Sequence, residues 1–217
     1  GGNCVDLPYS SKDMHAGENI RDIVNVISRY GVSALVTRRI NKKLLSEFTA
    51  ISSMPIINSH NDDCVPIQAL SDLFTIWEKK GELAGVKLAV VGKATSMTSS
   101  FVIGAVKCGL DVSVACPARY GLKRENVEAA EQLGKIYFTD NPVEAVRDAD
   151  IVYTNAYRYH TVLPDEEREA LAPYRVDAGL MSYAKHNALF MHPLPATRGR
   201  EVTADVIDGK HSVVYDQ

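Results

Sequence analysis

Apolar positions along the chain follow two periods, and the change from one to the other outlines the elements. Ile20, Ile23, Val24, Ile27 and Tyr30 recur at helical spacing, and the strand-like run ALVTRR follows at 34–39. A second short strand, MPIIN, occupies 54–58 and carries a proline near its start. Ile67, Leu70, Leu73, Phe74 and Trp77 then mark one face of a helix ending near KKGEL. This helix is the expected connection between two lobes.

From Val86 the alternation becomes cleaner. VKLAVVG (86–92) is a continuous apolar run with the character of a strand buried on both faces, and a helix over 98–109 follows, closed by Gly109. Further strands are predicted at 111–116, 135–139, 150–154 and 189–193, with helices near 123–133, 142–148 and 165–171. Strands alternating with amphipathic helices imply an α/β fold. The expected architecture is two lobes with parallel sheets, the second a doubly wound, Rossmann-like domain. In such a domain ligands bind at the carboxyl ends of the strands.

Composition narrows the classes. The 217 residues carry a formal net charge of -3 with 46% hydrophobic and 24% charged residues, ordinary for a soluble globular protein. That balance gives no footprint for nucleic acid, and no apolar run approaches the roughly 20 residues of a membrane span. Cys4, Cys64, Cys108 and Cys116 lack metal-ligand spacing, so reduced thiols and a cytoplasmic protein without a metal are expected. The opening GGNCVDLPYSS has no apolar segment of signal-peptide type.

Candidate chemistry is sparse when each residue is taken alone. AVVGKATSMTSS (89–100) has the outline of a dinucleotide-binding turn, but only Gly92 is present where that motif needs three glycines. Thr95, Ser96, Thr98 and Ser99 either face a small ligand or serve as ordinary helix caps. Arg38 closes an apolar strand, a place that suits either an anion or a surface ion pair, and Arg39 should face the opposite way by strand alternation. Asn58 ends a strand and Gln68 sits in a first helical turn. In FMHPLPATRGREVTADVIDG (190–209) a strand runs into His192, with Pro193 and Pro195 bracketing Leu194. His15, His60, His160, His186 and His211 are individually uninformative, and most are expected to face solvent.

Three stretches in this order resemble the aspartate/ornithine carbamoyltransferase family. They are AGENIRDIVNVISRYGVSALVTR, MPIINSHNDDCVPIQALSDLFTIWEKKGELAGVKLAVVG and FMHPLPATRGREVTADVIDGKHSVVYDQ, the last most similar to ornithine carbamoyltransferases. The resemblance implies transfer of the carbamoyl group of carbamoyl phosphate to ornithine, giving citrulline and phosphate, within arginine biosynthesis. It implies no metal or organic cofactor, and a homotrimer with sites at subunit interfaces. Residues 1–64 would be what remains of the carbamoyl-phosphate-binding domain, 65–81 the connecting helix, and 82–217 the amino-acid-binding domain.

Carried over position by position, Arg38 matches an arginine that binds carbamoyl phosphate, and Gln68 the glutamine of H-P-x-Q, which contacts the carbamoyl group. Asn58 matches an asparagine near the ornithine backbone. His192 and Leu194 match the H-x-L-P segment, whose leucine carbonyl accepts from the carbamoyl nitrogen. Five positions depart from the ornithine pattern. Val65 replaces the histidine of H-P-x-Q, Asn155 an aspartate that orients ornithine, Thr95 and Ser96 two asparagines, and Pro193 a cysteine, as in aspartate enzymes.

The family's S-T-R-T-R motif precedes a Gly-Gly pair and an arginine motif follows the final Asp-Gln, so these 217 residues alone are expected to bind carbamoyl phosphate weakly. Alternatives are a carbamoyltransferase for another amine (putrescine or aspartate) and a catalytically silent binding or regulatory member of the family.

Overall fold

The computed structural model describes residues 2–6, 19–157 and 162–217. His15 and His160 lie outside the described residues. The chain forms two compact units, Gly1–Ile67 and Gln68–Gln217.

In the first unit, α1 (Ile20–Arg29) begins at Asn19, whose side chain accepts from the Arg21 N–H. Strand β1 (Leu35–Ile40) runs parallel to β2 (Ile56–Asn61), with Leu35 opposite Ile56. Parallel strands need a crossover, and α2 (Lys42–Ile51) supplies it, capped by Asn41 accepting from the Leu44 N–H at 2.8 Å. The sequence reading missed this helix, although Leu44, Phe48 and Ile51 keep helical spacing. Val24, Leu44 and Phe48 form the small core, with Ile20, Leu35, Ile40, Ile51 and Ile56 against it. Strand β2 runs past the expected 54–58 because its polar end, NSHN, pairs with the end of β1.

Helix α3 (Pro66–Lys80) opens on a proline, which suits a first turn because its missing N–H has no intrahelical partner there. Its predicted apolar face is corrected. Only Leu73 of the five residues is buried, while Ile67, Leu70, Phe74 and Trp77 are 43–62% exposed. The buried side is Ala69, Asp72, Leu73, Thr75 and Ile76, two of them polar, which disguised it.

The second unit holds a five-stranded parallel sheet in the order β5-β4-β3-β6-β7. Its strands are β3 (Lys87–Val91), β4 (Asp111–Ala115), β5 (Ile136–Thr139), β6 (Ile151–Tyr153) and β7 (Leu189–Met191). The helices are α4 (Ser96–Lys107), α5 (Arg124–Leu133), α6 (Pro142–Val146), α7 (Asp165–Leu171), α8 (Ala178–Met181) and α9 (Ala204–Ile207). Alternation sends Leu88, Val90, Ile151, Tyr153 and Met191 to one core, shared with Ala69, Leu73 and Ile76 of α3 and with Phe101 and Val102 of α4. Ala89, Val91, Val152 and Phe190 face the other core, with Val146, Val176, Val202 and Ile207. Both faces are covered, which explains the unbroken apolar strands. The order reverses between β3 and β6, so the switch point lies at their carboxyl ends.

Candidate active site

In the first unit Arg38 and Arg39 are exposed at the carboxyl end of β1. Arg38 pairs with His60 on β2, and the register shifts on both sides of it. Arg39 has φ of 59°, so the simple alternation that would place it opposite Arg38 does not run through this point. Burial, then Arg38 and then Arg39, lower the pKa of His60 below its ordinary value. Asn58 donates Nδ2 to Cys64 Sγ at 3.3 Å, and its buried Oδ1 has no hydrogen-bond partner among the described residues. His60 is half-buried. Val65, ahead of Pro66, is 6% exposed.

In the second unit the β3–β6 switch point is filled by its own side chains. Thr95 is the N-cap of α4 and forms a capping box with Thr98. Asn155 follows β6, is 2% exposed, and donates Nδ2 to both Thr95 Oγ1 and Thr98 Oγ1 at 2.8 Å. Ser99 Oγ donates to Thr95 C=O and accepts from Asn126, so of the four hydroxyls Thr95, Thr98 and Ser99 are engaged in capping and packing. Ser96 opens α4 and is half-buried. Gly92 has φ of 105°, and a Cβ there would stand 2.6 Å from Tyr157 Cε1. Tyr157 therefore packs against bare backbone, and its hydroxyl donates to Tyr174 C=O at 2.9 Å. Burial, the largest effect, raises the Tyr157 pKa far above the ordinary phenol range. Lys93 Nζ reaches Glu167 Oε1 at 2.6 Å and lies 5.6 Å from the Tyr120 ring centre.

A third group surrounds the exit from β7, which ends at Met191 rather than at Pro193 as expected. His192 is fully buried, with Nε2 3.5 Å from Oε1 of the equally buried Glu201. Glu201 Oε1 also accepts from the Thr197 N–H at 2.5 Å. Among the described residues neither ring nitrogen of His192 nor Glu201 Oε2 has a hydrogen-bond partner. Pro193 is buried, and the Leu194 N–H turns back to His192 C=O at 2.9 Å. Leu194 sits at φ of 23°, a conformation non-glycine residues rarely hold, and is 39% exposed. The peptide bond from Leu194 to Pro195 is cis. Arg198 makes a surface ion pair with Asp208 through Nε at 2.8 Å.

Gln68, in the first turn of α3, belongs to the same unit. Its Nε2 donates to Asp72 Oδ1 at 2.7 Å, and Gln217 Nε2 donates to the same oxygen at 2.8 Å. Gln217 Oε1 in turn accepts from the His192 N–H at 2.9 Å. Among the described residues no group of three or more His, Cys, Asp or Glu is arranged to hold a metal ion. No helix among them is long and apolar enough to cross a membrane.

Residues 1–78 match the carbamoyl-P binding domain, and 84–217 the Asp/Orn binding domain, of aspartate/ornithine carbamoyltransferase. The chain belongs to the aspartate/ornithine carbamoyltransferase family. Over its whole length it is 40% identical to the ornithine carbamoyltransferase of Caldicellulosiruptor saccharolyticus, covering 72% of that protein. It is 39% identical to the anabolic ornithine carbamoyltransferase of Pyrococcus furiosus, covering 71% of it. The solved P. furiosus ornithine carbamoyltransferase superposes on 92% of this chain with a TM-score of 0.86. The chain spans 66% of that structure, slightly under two thirds. Two lobes of parallel α/β structure, the second Rossmann-like, are the fold of this carbamoyltransferase family.

The sequence-predicted residues fall into separate groups. Arg38 and Asn58 lie in the first unit. Thr95 and Asn155 are hydrogen-bonded to each other beside Ser96, and Gln68 is tied to His192 through Asp72 and Gln217, with Pro193 and Leu194 following. Asp72, Gln217, Glu201, Tyr157 and Lys93 escaped the sequence reading. Only Asp72 left a local signal, its position four residues after Gln68 on one helix.

Proposed function

We propose that this chain is the core of a carbamoyltransferase that moves the carbamoyl group of carbamoyl phosphate to an amine, with ornithine the leading acceptor. The amine nitrogen attacks the carbonyl carbon, the bond from that carbon to the phosphate oxygen breaks, and the nitrogen loses a proton. With ornithine the products are citrulline and inorganic phosphate. Preorganised hydrogen bonds to the carbamoyl group and cations for the departing phosphate are what such a step needs.

The observation that carries this reading is Leu194. A leucine at φ of 23° between two prolines, leaving a fully buried histidine, fixes the direction of a backbone carbonyl at some cost in strain. A carbonyl held this way suits acceptance from the carbamoyl –NH2, with Gln68 Oε1 as a second acceptor. Arg38 would meet the phosphate, and Asn58, Thr95, Ser96, Asn155 and Pro193 the acceptor. Homotrimeric assembly, a cytoplasmic location and a place in arginine biosynthesis belong to the same proposal.

A second reading is favoured by two particular residues. Val65 offers an apolar surface where the family's histidine would donate to the carbamoyl oxygen, and loss of one such donor costs about 3 kcal/mol of transition-state stabilisation. Asn155 has both amide hydrogens committed to threonine hydroxyls and carries no charge for an ammonium group. Both fit an acceptor other than ornithine or a catalytically silent member. The test is product formation by the complete gene product with carbamoyl phosphate and ornithine, putrescine or aspartate in parallel. Citrulline from ornithine supports the first reading. Turnover with another amine only replaces the acceptor, and no turnover with any of the three removes the enzyme reading.

A further inference from the structure

Asp72 is fully buried on the inner side of α3, and its environment is unusual for a carboxylate. Among the described residues the groups acting on it are Gln68 on its own helix, Gln217 from the segment after α9 and Tyr153 on β6, and none is a cation. Oδ1 takes both glutamine amides, at 2.7 and 2.8 Å. An ionised carboxylate only accepts hydrogen bonds, so each glutamine must turn its NH2 toward Asp72 and its carbonyl away. For Gln217 that carbonyl accepts from the His192 N–H, at the start of the Leu194 turn. For Gln68 the donor contact leaves Oε1 as the end of a half-buried side chain not used by Asp72. Ser71 Oγ holds the same segment by donating to Gln217 C=O at 2.7 Å.

We propose that Asp72 and Gln217 are positioning residues: one carboxylate sets the amide orientation of Gln68 and couples it to the backbone leading to Leu194. The two acceptors suited to a carbamoyl –NH2 are then aligned by a single buried group. This inference rests on the carbamoyl-transfer reading of the site.

The pH behaviour separates positioning from simple stabilisation. Burial, the largest effect, raises the Asp72 carboxyl from 3.8 to about 6 despite the amide donors. Between those values the folded chain holds a proton that the unfolded chain has released, so this group's contribution to stability falls as pH rises. The orienting anion forms over the same rise. A structural role makes activity and stability move together, whereas a positioning role makes them move in opposite directions.

The experiment compares wild type, Asp72→Ala and Asp72→Asn in the complete protein. Asp72→Ala should lose about 100-fold in kcat/KM for carbamoyl phosphate, the scale of a misplaced contact. Asp72→Asn keeps the side chain's shape without its charge, so it should fold and stay near the activity that wild type shows below pH about 6. The wild-type profile should fall below pH about 6 while stability rises, and Asp72→Asn should lack this inflection. In parallel, NMR of the Gln68 and Gln217 side-chain amides should show both titrating together near that pH in wild type and flat in Asp72→Asn. Amides that do not titrate in wild type, or an Asp72→Ala enzyme equal to wild type, overturn the proposal. If Asp72→Ala does not fold, the Asp72→Asn profile and the NMR titration decide. If wild type turns over no amine, the carbamoyl-transfer reading falls, and the amide titration alone decides whether Asp72 organises the two glutamines.

Discussion

Two polar regions at the carboxyl ends of strands in the second unit follow opposite rules. At the β3–β6 switch point Thr95, Thr98 and Asn155 satisfy one another, and Tyr157 packs on Gly92. At the β7 exit, His192 and Glu201 are buried with ring nitrogens and a carboxylate oxygen lacking hydrogen bonds, and Leu194 is held at positive φ. Buried polar groups without partners are costly and uncommon in native proteins. The first region therefore behaves as structure built from polar parts. The second carries polar groups that the fold leaves uncompensated, and the residues proposed to hold the carbamoyl group follow it.

The largest test of that contrast is Glu201→Ala. It removes the acceptor of the Thr197 N–H and the neighbour of His192, both inside the fold. The expected loss is about 3 kcal/mol in urea unfolding, since a buried partner is left uncompensated. An unchanged or more stable variant would mean the pair is a burden with no ordering role, and the contrast would collapse. Next is Gly92→Ala on the other side. Its Cβ would meet Tyr157 at 2.6 Å, on backbone at φ of 105°. About 2 kcal/mol of destabilisation is expected from the conformation and the contact together, read from the same unfolding curves. A neutral result would show that Tyr157 swings out readily and that the crevice opens.

Much of the fold was legible because β3, β4 and β6 are covered on both faces and read as unbroken apolar runs. The errors have physical causes. Helix α3 was turned the wrong way because Asp72 and Thr75 occupy its buried side while Phe74 and Trp77 are exposed. Helix α2 was missed although Asn41 and the Leu44–Phe48–Ile51 spacing announce it. Gln68, His192 and Leu194 were readable as a motif. What connects them was not, because Gln217 meets Asp72 across 145 residues and only the folded sheet brings its amide there. Glu201 was invisible for the same reason. A carboxylate in a polar, arginine-rich segment reads as surface until the chain folds over His192.

The smallest expected effect is also the one that decides what the hydroxyls at the start of α4 do. Thr95 Oγ1 accepts from the Thr98 N–H at 3.4 Å and from Asn155 Nδ2 at 2.8 Å. If capping is its role, Thr95→Ala should cost about 1 kcal/mol, with an unchanged denaturant slope, and Thr95→Ser should restore the loss. Faster amide exchange at Thr98 should accompany the loss, since that donor then faces an empty cap. If Thr95→Ala costs nothing while altering the KM for the acceptor amine, the hydroxyl serves the ligand instead. The switch point would then join the β7 exit in the proposed site, and Asn155 would be a movable cover rather than a fixed strut.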